Sequence, residues 1–301
     1  MSQEIIERTF TVSAPARLKL ANIRGTVTIK GDAEGQVIVS AVKHTGSGDA
    51  SHTEVLLSQE EGGRVVVETK YQDWFLSIFN FSKPCKVDYD VHVPANCELE
   101  VSVVSSSLSI QGVNGNLKSS TVSGDVTLNN LKGELTLSSV SGNITGDQLF
   151  GAIKINTVSG DVHLRNGDYS QAKVTSVSGN IHLDTASARG PYTFQSVSGN
   201  AFLVVSEKAG FSVSMHTVSG ALRTHLPIQR QQKSAGWLTA EVNGGGVEVT
   251  FKSVSGDLHL EGVEIPVSEI PIEPGQLSRR QVLERIERGE MTVEEGLSHL
   301  R

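Results

Sequence analysis

Val-Ser-Gly followed by one further residue recurs along the chain at a spacing that leaves few folds open. The glycines of the copies are Gly124, Gly142, Gly160, Gly179, Gly199, Gly220 and Gly256. The steps between them are 18, 18, 19, 20, 21 and 36 residues. A period of this length marks a repeat architecture, in which each unit packs on its neighbours and does not fold alone. The last step is about two periods, so a degenerate copy is expected over residues 237–243.

A nine-residue unit, apolar-x-Gly-x-apolar-x-apolar, lies inside the larger one. Val122, Gly124, Val126 and Leu128 form one copy, and Leu131, Gly133, Leu135 and Leu137 form the next. Apolar residues two apart have the period of a strand with one buried face. Two left-over residues then turn the chain. The pattern predicts an all-β, parallel β-solenoid (β-helix) of about 18-residue coils with two short strands each. The Val of each Val-Ser-Gly is expected in the core. Each glycine is expected where the two strands of a coil come too close for a side chain. The Ser or Thr before each Val (Thr121, Ser139, Thr157, Ser176, Ser196, Thr217, Ser253) is expected to point outward as a hydroxyl ladder. Composition agrees with strands, with 30 glycines and only 5% aromatic residues.

The pattern divides the chain into four parts. Residues 1–93 are an N-terminal β region with degenerate repeats (Ile23, Gly25, Val27, Ile29), a hairpin over 52–70 and an aromatic segment. Residues 94–262 are the regular solenoid. Residues 263–276 carry Pro266, Pro271 and Pro274 and read as a linker. Residues 277–301 read as a short helical hairpin: Val282, Leu283 and Ile286 share one face, Gly289 stops the first helix, and Thr292 with Glu295 caps a second that carries Leu297. Helices this short need something to dock on.

The stretch Val87-Asp88-Tyr89-Asp90-Val91-His92-Val93-Pro94, followed by repeated Val-Ser-Gly-Asp/Asn units, resembles the bacterial "putative adhesin" β-strand-repeat family, a domain of unknown function with LiaX-like and YvlB-like members. The resemblance covers roughly residues 20 to 262. Residues 283–297 are similar to a short oligomerisation-type helical module attached to such proteins, although in LiaX-like members that module is N-terminal. The resemblance implies surface interaction and a link to envelope stress. It carries no catalytic residues.

The residues themselves point the same way. The net charge is −7 with no basic block, which argues against nucleic-acid binding through phosphates. The first residues have neither a basic region nor an apolar core of a secretory signal, and no run of about 18 apolar residues suggests a membrane span. With only Cys85 and Cys97, free thiols in a reducing cytoplasm are expected. There is no nucleophile elbow, P-loop, HExxH or dinucleotide fingerprint, so neither an enzyme nor a cofactor is expected. His163 and His182 occupy equivalent outward positions, with Phe202 at the same register and His259 recurring later; an exposed pair is favoured over a metal site. Asp125, Asn143, Asp161, Asn180, Asn200 and Asp257 follow the glycines, but the doubled glycines of calcium-binding β-rolls are missing. These Asx residues are expected to hydrogen-bond their own backbone at the bend.

Three groups of residues are candidates for binding. Trp74, Phe75, Ile78, Phe79 and Phe81 form either a lid on the solenoid end or an apolar patch for a partner, a second subunit or a lipid surface. Val282, Leu283, Ile286 and Leu297 would dock the helical module. Ser123, Ser141, Ser159, Ser178 and Ser198 form a row that could face a ligand. The leading expectation is a non-enzymatic interaction or scaffold protein with a protein partner or self-association, and with membrane contact only indirect or through the aromatic segment. The alternatives are a module whose Ser/Thr face recognises glycan or cell-wall polymer, and a regulator that senses envelope stress.

Overall fold

A computed structural model describes residues 2–71, 83–185 and 187–263. The expected linker and helical hairpin lie outside the described residues, as do Trp74, Phe75, Ile78, Phe79 and Phe81, and Val282, Leu283, Ile286 and Leu297.

The described chain is all-β. Strand β1 (Gln3–Thr11) is followed by β2 (Ala16–Ala33), β3 (Gln36–His44), β4 (Thr53–Gln59), β5 (Val65–Tyr71) and β6 (Lys86–Pro94). β2 is a complete coil. Its first half pairs in parallel with β5 and its second half with β6. Beyond them the chain reverses: β3 lies antiparallel to β6, β1 antiparallel to β3, and β4 antiparallel to β5. The end of the stack is therefore two antiparallel sheets. The next coil, β7 (Cys97–Gln111), returns to the other side of β2 and pairs with it from Ala16↔Cys97 to Lys30↔Gln111.

From there the coils climb in sequence through β8 (Leu117–Ser123), β9 (Val126–Ser141), β10 (Ile144–Ser159), β11 (Val162–Ser178), β12 (Ile181–Thr185), β13 (Tyr192–Ser198) and β14 (Ala201–Ser206). All these neighbours pair in parallel. The stacked coils share one core, lined by such residues as Leu135, Leu137, Ile153, Ile155, Val174 and Phe194.

Sequence order then breaks. β15 (Phe211–Ser219) and β16 (Leu222–Thr224) form a coil, but they do not stack on β13 and β14. A hairpin of β17 (Ile228–Ser234) and β18 (Trp237–Val242) follows, and β18 lies antiparallel to β15. The last coil, β19 (Val247–Ser255) and β20 (Leu258–Val263), slots between, pairing with β13 and β14 on one side and with β15 and β16 on the other. The expected degenerate coil over 237–243 is thus an antiparallel capping strand. The 36-residue step reflects an inserted final coil, and two regular periods do not separate Gly220 from Gly256.

The glycines mark the tightest contact in the fold, and it runs along the stack. A Cβ on Gly142 would lie 2.3 Å from the carbonyl oxygen of Gly124, and one on Gly160 would lie 2.2 Å from that of Gly142. Gly199, Gly256 and Gly220 continue the column in the spatial order of the coils, each facing the carbonyl of the coil below. The expected approach across the thin core is not what excludes the side chain. Gly160 also has φ 115°, a conformation that residues with a Cβ rarely adopt.

The residue after each glycine spans the same gap. The side-chain oxygen of Asp125 accepts the Asn143 amide at 2.8 Å, Asn143 accepts that of Asp161 at 3.0 Å, and Asp161 that of Asn180 at 2.7 Å. The ladder continues from Asn180 to Asn200, Asp257 and Ala221. Asx does not bond its own bend, as expected from sequence, but the coil above. Ala221 departs from the pattern because no further coil stacks on it.

The turn at Ser-Gly also reverses the expected facing of the residues before it. Thr121, Ser139, Thr157, Ser176, Ser196, Thr217 and Ser253 point inward and are buried. The valines that follow them point out. Counting in twos from Val126 back through Gly124 crosses a corner, where alternation slips by one residue. Thr157 Oγ1 reaches over that corner to donate to the Ser159 carbonyl at 3.2 Å.

Gly160→Ala should cost at least ~3 kcal/mol, because it adds a backbone clash to an unfavourable φ. Gly35→Ala, with φ 63° but nothing within 4 Å of the added carbon, should cost only about 1 kcal/mol. Urea denaturation of the two variants measures the difference. Equal losses would mean that the column serves backbone freedom and not coil contact.

Candidate functional site

The sheet face formed by β8, β13, β19 and the second halves of β9, β10 and β11 presents rows of like residues to solvent. Ser123, Ser141, Ser159, Ser178 and Ser198 are in register and exposed, and the row continues to Ser255 and Ser219. The predicted serine row therefore exists. Immediately beside it runs a row of valines that the repeat pattern predicts in the core. Val104, Val122, Val140, Val158, Val177, Val197 and Val254 are each between 44% and 53% exposed, and Val218 at the end of the stack is 83% exposed. Near the N-terminal end Ile23, Val104, Val122 and Val140 line one open groove with Ser120 and Ser138.

A half-exposed valine on every coil makes a continuous apolar strip, and contiguous exposed apolar surface rimmed by polar residues is the pattern of an interaction site. Strand propensity alone does not require it, since Thr serves a solvent-facing strand position equally well. On the side away from the corner serines the strip is flanked by Ser102, Ser120, Ser138, Asn156, Thr175 and Gln195, and beside Val254 and Val218 the same row continues as Lys252 and His216. A row farther out runs Lys118, Thr136, Lys154, Lys173 and Thr193, with Lys154 and Lys173 on adjacent coils.

The opposite sheet carries a ring ladder. His163 and His182 stack with centroids 4.7 Å apart, His182 and Phe202 at 4.1 Å, and Phe202 and His259 at 4.4 Å. The first two positions were visible in the repeat. His259 joins the ladder only because the last coil is inserted beside β14. Arg223, the next position, pairs with Asp257 at 2.6 Å. Both faces of the inner rings, His182 and Phe202, are covered by neighbouring rings, while His163 and His259 each have one face covered in this way. Burial, together with the neighbouring His163, holds the His182 imidazole below its usual pKa. Asp161 and Glu261 act in the opposite direction, and His259 in the same one.

Among the described residues, no three His, Cys, Asp or Glu side chains are grouped as metal ligands. Cys85 and Cys97 are free and buried, and burial pushes the Cys97 thiol up to about 12. No helix among the described residues is long and apolar enough to cross a membrane.

The family model described as Toastrack DUF4097 matches residues 16–261. Several solved structures are also similar. A putative adhesin from Bacteroides fragilis NCTC 9343 is 11% identical, with 86% of this chain and 98% of that chain covered and a TM-score of 0.45. A putative adhesin from Parabacteroides distasonis ATCC 8503 is 12% identical, with 86% and 97% covered and a TM-score of 0.40. A putative cell adhesion protein from Clostridium sporogenes ATCC 15579 is 13% identical, with 86% and 100% covered and a TM-score of 0.27. No curated protein matches the chain.

Because the pKa of His182 is lowered in the fold, the unfolded chain binds more protons as pH falls through about 6.5. Its contribution to stability is full above that pH and is lost as pH falls through the lower folded value. His182→Phe keeps the stack without a titrating ring. Denaturation midpoints between about pH 7.5 and pH 5 should fall less steeply for this variant than for the parent. Parallel slopes would mean that the ladder bears no proton-linked cost.

Proposed function

Since the chain belongs to the Toastrack DUF4097 family, whose model spans most of it, we propose that it is a non-enzymatic interaction scaffold of adhesin-like type that engages a partner along its valine strip. The observation that carries the reading is the unbroken row from Val104 to Val218, which presents the same apolar group at every coil. Parallel strands about 4.8 Å apart turn that row into a rigid linear surface, prepared before any partner arrives. The short Ser-Gly corners build rows, and among the described residues no long loops wall a cleft around them.

The surface fits a protein partner better than a glycan or cell-wall polymer. Sugar rings pack on the faces of aromatic side chains, and in the His163–His259 ladder the faces of His182 and Phe202 are taken by neighbouring rings. The serine row supplies hydroxyls but no platform. A link to envelope stress, which the resemblance implies, would require that partner to belong to the envelope.

A photoreactive phenylalanine analogue at Val158 tests the reading when compared with one at Thr145, on the opposite sheet face. In the cells that make this protein, irradiation should give a discrete adduct from position 158 and none from 145. Val140→Lys combined with Val177→Lys should abolish that adduct while leaving the thermal midpoint within a few degrees, as surface changes do. Adducts from position 145 alone would place the working face on the other sheet and overturn the proposal.

A further inference from the structure

Both ends of a solenoid expose backbone groups that invite further pairing, and proteins usually block such edges with Pro, Lys or a bulge. β1 has no Pro, Lys or bulge, and of its three charged residues, Glu4, Glu7 and Arg8, two are ones that a second copy could pair. Its sequence is QEIIERTFT, and among the described residues it pairs with β3 and with no other strand. The Thr45 amide donates to the Ser2 carbonyl and the Val12 amide to the Gly35 carbonyl. With the observed register, alternation assigns the even-numbered residues of β1 to β3. The backbone groups of Gln3, Ile5, Glu7 and Thr9 therefore face the open edge. Past them the Gln59 side-chain amide donates to the Thr11 carbonyl at 2.9 Å, which ends the open stretch.

The open stretch runs from residue 3 to residue 9, and its centre is Ile6. An antiparallel copy of the same strand, related by a two-fold axis at Ile6, places Ile5 opposite Glu7 and Gln3 opposite Thr9 in hydrogen-bonded pairs. This is the parity that the backbone requires. The same register sets Glu4 opposite Arg8 and, by symmetry, Arg8 opposite Glu4. Ile6 meets Ile6 on the axis. Ile5, 64% exposed in one chain, has its counterpart on the adjacent diagonal. Glu4 contacts Lys43 at 3.3 Å, and Arg8 donates to the Leu57 carbonyl at 2.7 Å, so both side chains are already held at this edge. The free edge at the far end lacks this match: β17 carries Arg230 and Lys233 with no acidic residue.

We propose that β1 is a self-association edge, through which two copies of this chain join their N-terminal antiparallel sheets into one continuous sheet around a two-fold axis at Ile6. The contact is isologous and closes at a dimer. It is smaller than the ~1,200 Å² of a standard complex, which sets the expected dissociation constant in the micromolar range. The proposal goes beyond the valine strip and stands independently of it, because β1 belongs to the end cap.

Full-length Ile6→Cys under mild oxidation provides the test. Opposed Cα atoms in a non-hydrogen-bonded antiparallel pair lie about 4.5 Å apart, within disulfide reach. The native Cys85 and Cys97 are buried and do not compete. Most of the protein should become a covalent dimer. Thr9→Cys should stay monomeric, since two copies of residue 9 would be ~20 Å apart. By light scattering, Arg8→Glu should weaken the association at least tenfold, and Glu4→Arg combined with Arg8→Glu should restore it. Three outcomes would each overturn the proposal: a parent chain that stays monomeric up to about 100 μM, equal linking through positions 6 and 9, or a double exchange that fails to restore association. The photo-adduct at position 158 is unaffected by any of them.

Discussion

The contact on which the fold depends is the seat of one coil's carbonyl oxygen against the Cα of the glycine above it. A methyl group at Gly160 would lie 2.2 Å from the Gly142 oxygen, so no other residue lets the coils close to strand spacing at that corner. The regular part of the stack keeps that spacing from Gly124 to Gly220, while Ser106 holds the same register in the coil below. The spacing sets the period near 18 residues, brings each Asx oxygen within reach of the next amide, and puts like side chains on top of one another. The second glycine column, through Gly115, Gly133 and Gly151, repeats the arrangement at the other corner.

A stack of this kind is stable only if the core at its ends is covered. The chain does this with antiparallel strands at both ends, β3 and β4 with their partners at one and the β17–β18 hairpin at the other. The late insertion of β19 and β20 goes further. The final coil is gripped on both sides by strands that precede it in sequence, so it cannot fray from the end as a terminal repeat would. The same insertion completes the ring ladder and carries the Asx ladder from Asn200 through Asp257 to Ala221.

The outer faces show what a fixed stacking distance does with ordinary residues. One half-exposed valine is unremarkable on any protein surface. Repeated on successive coils, the same valine becomes a line of apolar surface that a partner can follow. Repeated rings become a stacked ladder, in which burial lowers the pKa of His182 and so couples its proton to stability. In the proposed reading, binding is thus a property of the rows more than of any one residue.

The coil architecture was written in the sequence because a solenoid repeats its constraints. The Val-Ser-Gly period, the two-residue alternation from Leu131 to Leu137, and the serine row from Ser123 to Ser198 each recur often enough to be read without coordinates. Which side of the strand faced water was not legible at Val122 or Thr121, since alternation holds along a straight strand and slips at a corner whose geometry depends on the neighbouring coil. Nor was the partner of His259, because the order of coils in space is decided by which edge the last strands find open. The residues name the unit and its period. Only the packing of whole coils decides the order in which units stack, and so which side chains become neighbours.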